Sequence, residues 1–198
     1  MVAEIATGPA AEQVRDHVRS DEEFLGATAF NIAPGVPTAP PARVHRARPE
    51  YAPDGHGRTA FQAVLYAADR VEDGVGRVAF GKGLHGSWDS LAGQLRIHLF
   101  HDVGHVAVTN RRLLFFHPPS DGGSGRKRGR KGGGAPVEAT PCWEAPMERV
   151  VAARPRPKGV LQRGRFDLLF ADGSWIGLVA RPPGLRDGMA RAIHGAAG

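Results

Sequence analysis

Residues 104–117, GHVAVTNRRLLFFH, constrain this chain more than any other stretch. Val106 and Val108 alternate with smaller or polar residues, the pattern breaks at Thr109-Asn110-Arg111-Arg112, and Leu113–Phe116 is wholly apolar. Period-two alternation on one side of a polar break predicts a strand with Val106 and Val108 on one face. A continuous apolar run on the other side predicts a strand packed on both faces, or on one core face and one covering element. Asn110 is expected at the tip, because Asn tolerates positive φ. A second hairpin is expected from 165–171 and 174–180, joined at Asp172-Gly173, a strong two-residue turn signal.

Four more segments read as strands. They are 24–32, with Phe24, Phe30 and Ile32 at even spacing; 95–101, with Leu95, Ile97 and Leu99 against Arg96 and His98; 141–145; and 148–154. Helical periodicity is expected in three places. Residues 10–23 place Val14 and Val18 on one face. Residues 58–73 space Phe61, Val64, Leu65, Ala68 and Val71 at 3.6-residue intervals. Residues 182–195 space Leu185, Met189 and Ile193 by four, behind Pro182 and Pro183. Residues 80–86 read as a loop, and Ser87 as the cap of a short turn in which Trp88 and Leu91 pack inward.

The chain has 198 residues, 27 Gly and 16 Pro, enough for one core carrying much connecting chain. Residues 33–57 hold six prolines and read as an extended connector. Residues 118–140, PPSDGGSGRKRGRKGGGAPVEAT, read as a linker with too little apolar surface to offset its ordering entropy. No apolar run is long enough to span a bilayer, and the N-terminus lacks the apolar stretch of a secretory signal. A single cysteine, Cys142, permits no intrachain disulfide and suits a reducing, cytoplasmic compartment.

In this order the motifs resemble GRAM and bacterial pleckstrin-homology-like domains. GHVAVTNRRLLFF resembles their second and third strands, CWEAPMERVVAARPRP the next pair, GRFDLLFADGSWIGLVA the last hairpin, and 184–194 the helix that closes the open sandwich. The resemblance covers roughly 104–195, with 21–32 as the first strand through RSDEEFLGATAF. It implies a mainly β, α+β fold: a PH/GRAM-like antiparallel sandwich or open barrel of about seven strands, closed by a C-terminal helix. The domain would comprise a core of 21–32 and 95–195, a helix-containing insertion at 33–94, and a flexible basic linker at 118–140. An alternative first strand is 95–101, with the preceding residues as an extension. The basic pattern of phosphoinositide-binding members is not matched, since Arg43, Arg46, Arg48 and Lys82 are scattered among prolines and glycines.

Several residue groups carry candidate chemistry. His98, His101, Asp102 and His105 are suitable metal ligands, but their spacing fits neither a helical His pair nor a zinc finger, and no metal or cofactor is expected. Gly81-Lys82-Gly83 lacks the spacing of a phosphate-binding loop and reads as a turn. No nucleophile elbow is present, and Cys142 beside Trp143 reads as a packed thiol, so no catalytic residues are assigned.

The net charge of +6 is concentrated in residues 101–198, with 16 Lys/Arg against 8 Asp/Glu. Its densest run is RKRGRK: Arg126, Lys127, Arg128, Arg130 and Lys131. At about 1 kcal/mol per charge near an anionic leaflet, this run supplies weak membrane attachment. No aromatic residue interleaves it, so nucleic acid is not the expected partner. A second stretch, 154–165, holds five cations and no acid, and reads as a solvated hairpin rim. Antiparallel alternation sends the connections after the first and third core strands out of the same end of the sheet. The expected function is a non-enzymatic, intracellular protein-interaction adaptor using helix 58–73 and Trp88. The alternative is peripheral binding of anionic membranes through RKRGRK.

Overall fold

A computed structural model describes residues 2–37, 81–99, 103–117, 139–158 and 162–197. The expected helix at 58–73 and the RKRGRK run lie outside the described residues. The strands are β1 (Phe24–Ile32), β2 (Leu84–His85), β3 (Val103–Thr109), β4 (Arg112–His117), β5 (Thr140–Pro146), β6 (Val150–Pro155), β7 (Arg165–Phe170) and β8 (Trp175–Arg181). Among the described residues the α-helices are α1 (Val2–Thr7), α2 (Pro9–Val14), α3 (Leu91–His98) and α4 (Arg186–Ala197). The sheet is antiparallel, in the order β5-β4-β3-β1-β8-β7-β6, and β2 adds to β8 beyond the end of β1. This is the expected mainly β, α+β architecture with a C-terminal helix. Strand 24–32 is the first strand and joins the two halves, pairing with β3 on one side and β8 on the other.

Both hairpins form. In the first, the Thr109 hydroxyl accepts from the Arg111 and Arg112 amides, closing the turn. Asn110 does not take positive φ, contrary to expectation, since no described non-glycine residue does. Its side-chain oxygen instead accepts from the Glu23 amide, and its own amide donates to the Glu23 carbonyl, tying the turn to the start of β1. In the second, Gly173 supplies the positive φ (78°).

The two-faced packing of β4 follows its sequence. Leu113 and Phe115 join the main core with Phe30, Val106, Phe166, Leu168, Ile176 and Leu178. Leu114 and Phe116 point the other way, into a smaller cluster with Ala27, Ala107 and Ala139, covered by Ala11 and Val14 of α2. Helix α4 closes the main core with the fully buried Met189 and Ile193, as its spacing predicts.

Several expectations are corrected. Residues 95–98 are helical: Leu95, Ile97 and Leu99 alternate, but Ala92, Leu95 and Leu99 also fall three and four apart, and all three are buried. The helix starts because Ser90, rather than Ser87, is the cap and accepts from the Gly93 amide. The β7–β8 turn completes that cap, Asp172 accepting from the Leu91 amide at 2.7 Å and Ser174 from that of Ala92 at 3.1 Å. Residues 84–85 are a strand paired with β8 rather than a loop. The N-terminal helix is broken and earlier than 10–23, ending in a 3-10 turn at Arg15–His17. Residues 18–23 are thereby free to bring Glu22 to Arg112, which also holds Glu144 and the His17 carbonyl. Finally, the connecting linker stops short of 140: Ala139 is buried and Thr140 opens β5.

Candidate functional site

The strand registers align the points at which the described chain leaves the sheet. Phe30 of β1 pairs with Gly104 and Ala180, His105 with Phe116, and Val179 with Arg165. At about 4.8 Å per strand, the ends of β4 and β7 flank β1 at roughly 10 Å on either side. β1 and β4 run in the same direction, both being antiparallel to β3. The connections that begin after Pro37 and after His117 therefore start from one end, as alternation predicts. Arg126, Lys127, Arg128, Arg130 and Lys131 belong to the second of these connections.

The two described ends flanking residues 38–80 meet in a narrow neck. The Gly83 amide donates to the Gly35 carbonyl, and the Gly177 amide to that of Gly83, at 3.0 and 2.7 Å. A Cβ on Gly35, whose φ is +87°, would lie 2.1 Å from the Gly81 oxygen, so no side chain fits there. Two buried arginines hold the neck, one on each of its two chain segments. Arg96 of α3 donates to the Pro37 carbonyl at 2.7 Å, and Arg165 of β7 to the Lys82 carbonyl at 3.3 Å.

Arg165 also corrects the reading of 154–165 as a solvated rim. It is fully buried, donating to Asp167 at 3.1 Å and to the Gln162 side-chain oxygen at 2.9 Å. The exposed Arg156 reaches the other Asp167 oxygen at 3.2 Å. Lys158 and Gln162 exchange backbone hydrogen bonds, and the Lys158 ammonium lies 3.0 Å from where a Gly81 Cβ would stand. Burial, and then the Arg165 and Arg156 charges, hold the Lys158 pKa below its ordinary value, against a smaller opposing pull from Asp167. Arginine only donates, so the Gln162 oxygen must face it, and the amide nitrogen is left to the other side. That nitrogen is buried without a hydrogen-bond partner. A donor left in this way costs about 1–3 kcal/mol. The alternation of Arg165 with Asp167 on one strand face was the available sequence signal for a buried pair.

Two of the candidate metal ligands lie among the described residues. His98 ends a helix, His105 sits within β3, and His101 and Asp102 lie outside the described residues. Among the described residues, no group of three or more His, Cys, Asp or Glu is placed to hold a metal. Burial pushes the Cys142 thiol up to about 12, as befits a packed side chain rather than a nucleophile. No described helix is long and apolar enough to cross a membrane. No family model matches this chain, and no curated protein matches it.

Proposed function

We propose that the protein is a non-enzymatic, cytoplasmic PH/GRAM-like binding module, acting as a protein-interaction adaptor through the end of the sheet from which segments 38–80 and 118–138 begin. The observation that carries this reading is the shared exit. Two long connections start beside one another on a rigid antiparallel sheet, one of them from a neck clasped by buried arginines. Loops held by a rigid scaffold are where binding commonly resides. The strand order and the closing C-terminal helix support the family resemblance.

The test is co-purification from cytosolic and membrane fractions at low and high salt. It uses the full chain, a chain with 38–80 replaced by a short Gly/Ser bridge, and a chain with the five RKRGRK cations changed to Gln. A protein partner that survives high salt and the charge removal, but is lost with 38–80, is the expected result.

The second reading is peripheral attachment to anionic membranes through RKRGRK. It is favoured by further exposed cations, Lys82 at the neck and Arg154, Arg156 and Arg163 around the β6–β7 turn. Tight, salt-resistant binding of the full chain to anionic vesicles, without a protein partner, would replace the adaptor reading with this one.

A further inference from the structure

The part of the sheet formed by β2, β8, β7 and β6 has an outer face as well as a core face. Phe166, Leu168 and Phe170 of β7 point into the main core, so Leu169 between them points away from it. Residues paired directly across antiparallel strands share a face. Leu169 pairs with Trp175 on β8 and Ala152 on β6, and Trp175 pairs with His85 on β2. Val150 and Ala153 both face the core, so the bulge between them sets Val151 beside Ala152 on the outer side. The row His85, Trp175, Leu169, Ala152 therefore crosses four strands, about 14 Å at the usual spacing. The His85 ring is stacked on Trp175, 6.2 Å between centroids and 22° from parallel. Trp175, Leu169 and Ala152 are half-buried. Val151 is 54% exposed, one of two exposed large apolar side chains among the described residues.

Exposed charge along one long side of this row is positive. Arg154 follows Ala152 by two residues on the same face, about 7 Å further along the strand. The Lys82 ammonium reaches His85 Nδ1 at 3.0 Å, and both Lys82 and Arg154 are exposed. Asp167, which pairs with Arg154 across the strands, is buried and already shared by Arg156 and Arg165. On the other side, the Asp172 carboxylate is occupied by the Leu91 amide and the Ser174 hydroxyl. We propose that this outer row docks an acidic segment of a partner protein. An extended chain lying along the boundary sends alternate side chains to opposite sides. Its apolar side chains would cover Trp175, Leu169 and Val151, and its carboxylates would meet Lys82 and Arg154. About four or five extended residues span the row. This surface uses none of residues 38–80 or 118–138, so it goes beyond the adaptor reading above and is tested separately from it.

The test uses a chain whose RKRGRK cations are all Gln, so that the basic run does not capture the probe. The probe is a fluorescein-labelled peptide of alternating Leu and Glu, followed by fluorescence polarisation. Control peptides alternate Leu with Lys, and Ser with Glu. Saturable binding of the Leu/Glu peptide alone is expected. Val151→Asp puts a carboxylate on an exposed position outside the core. It should weaken binding by at least about tenfold, through like-charge repulsion and lost apolar contact, with the melting temperature unchanged. Arg154→Gln should weaken it by about two- to fivefold, the range of an exposed ion pair.

Three other occupants are separated by the same variants. Peptide binding that emerges only when 38–80 is replaced by a Gly/Ser bridge assigns the row to that segment of the chain. A monomer–dimer equilibrium in sedimentation, lost in Val151→Asp, assigns it to a second copy. Tighter binding of a single-stranded oligonucleotide, also lost in Val151→Asp, assigns it to nucleic acid. Any of these results overturns the proposal, as does the absence of saturable Leu/Glu binding or binding unchanged in Val151→Asp.

Discussion

At the scale of single residues, Phe116 anchors the smaller apolar cluster, with His105 beside it on β3. They pair directly across β3 and β4, and His17 tilts over the Phe116 ring at 5.1 Å between centroids. Burial lowers the His105 pKa below 6.5, and its Nδ1 has no hydrogen-bond partner. The unfolded chain therefore binds more protons than the folded one at mildly acidic pH. Stability is at its full value above pH 6.5 and falls as the pH drops through that value toward the depressed folded pKa. His98, also lowered by burial, adds to the same slope. His105→Leu should flatten part of it, measured as the urea midpoint between pH 7.5 and 5. An unchanged slope would locate the sensitivity elsewhere. Phe116 and Phe170 are 0% and 2% exposed. Replacing either with Ala should cost about 3–5 kcal/mol in chemical denaturation, and a loss below about 1 kcal/mol for both would contradict the core described above.

At the scale of elements, Arg112 joins three parts of the chain. Its guanidinium is bidentate to Glu22 at 2.7 and 3.1 Å, pairs with Glu144 on β5, and donates to the His17 carbonyl. Burial works against the Glu22 charge, but the hydrogen bonds from Arg112 and the Arg19 amide outweigh it and lower the carboxyl pKa. Removing the arginine leaves the Glu22 carboxylate, whose side chain is 1% exposed, with only the Arg19 amide to answer its charge. Arg112→Gln should therefore destabilise by about 3–5 kcal/mol, and Glu22→Gln in that background should recover part of the loss in a double-mutant cycle.

Strands were the most legible elements, because residues such as Val106 and Val108, or Phe166 and Leu168, fix a face by simple alternation. Helix α3 was not legible. Leu95, Ile97 and Leu99 satisfy both periods, and the deciding groups, Asp172 and Ser174, lie some eighty residues away in sequence. The broken N-terminal helix was obscured for the same reason, its end being set by Arg112. RKRGRK was conspicuous in the sequence, whereas the Gln162–Arg165–Asp167 network was concealed in what read as a polar rim.

At the scale of the whole molecule, the frame is separable from its connections. Replacing 119–136 with a short Gly/Ser link should leave the melting temperature nearly unchanged, because closure entropy varies slowly with loop length. A fall of many degrees would mean that the segment packs on the sheet. The two ends of the sheet path are β5 and β6, and both carry proline: Pro141 and Pro146 on one, Pro155 on the other. Proline offers no amide for a further ladder and is a recognised guard of sheet margins. The consequence is colloidal. An open sheet of this kind has two margins at which identical chains could stack without limit, and proline interrupts the ladder at each. The protein should stay free of fibrillar aggregates when concentrated, whereas Pro141→Thr with Pro155→Val should raise light scattering and thioflavin fluorescence with concentration while leaving dilute stability nearly unchanged.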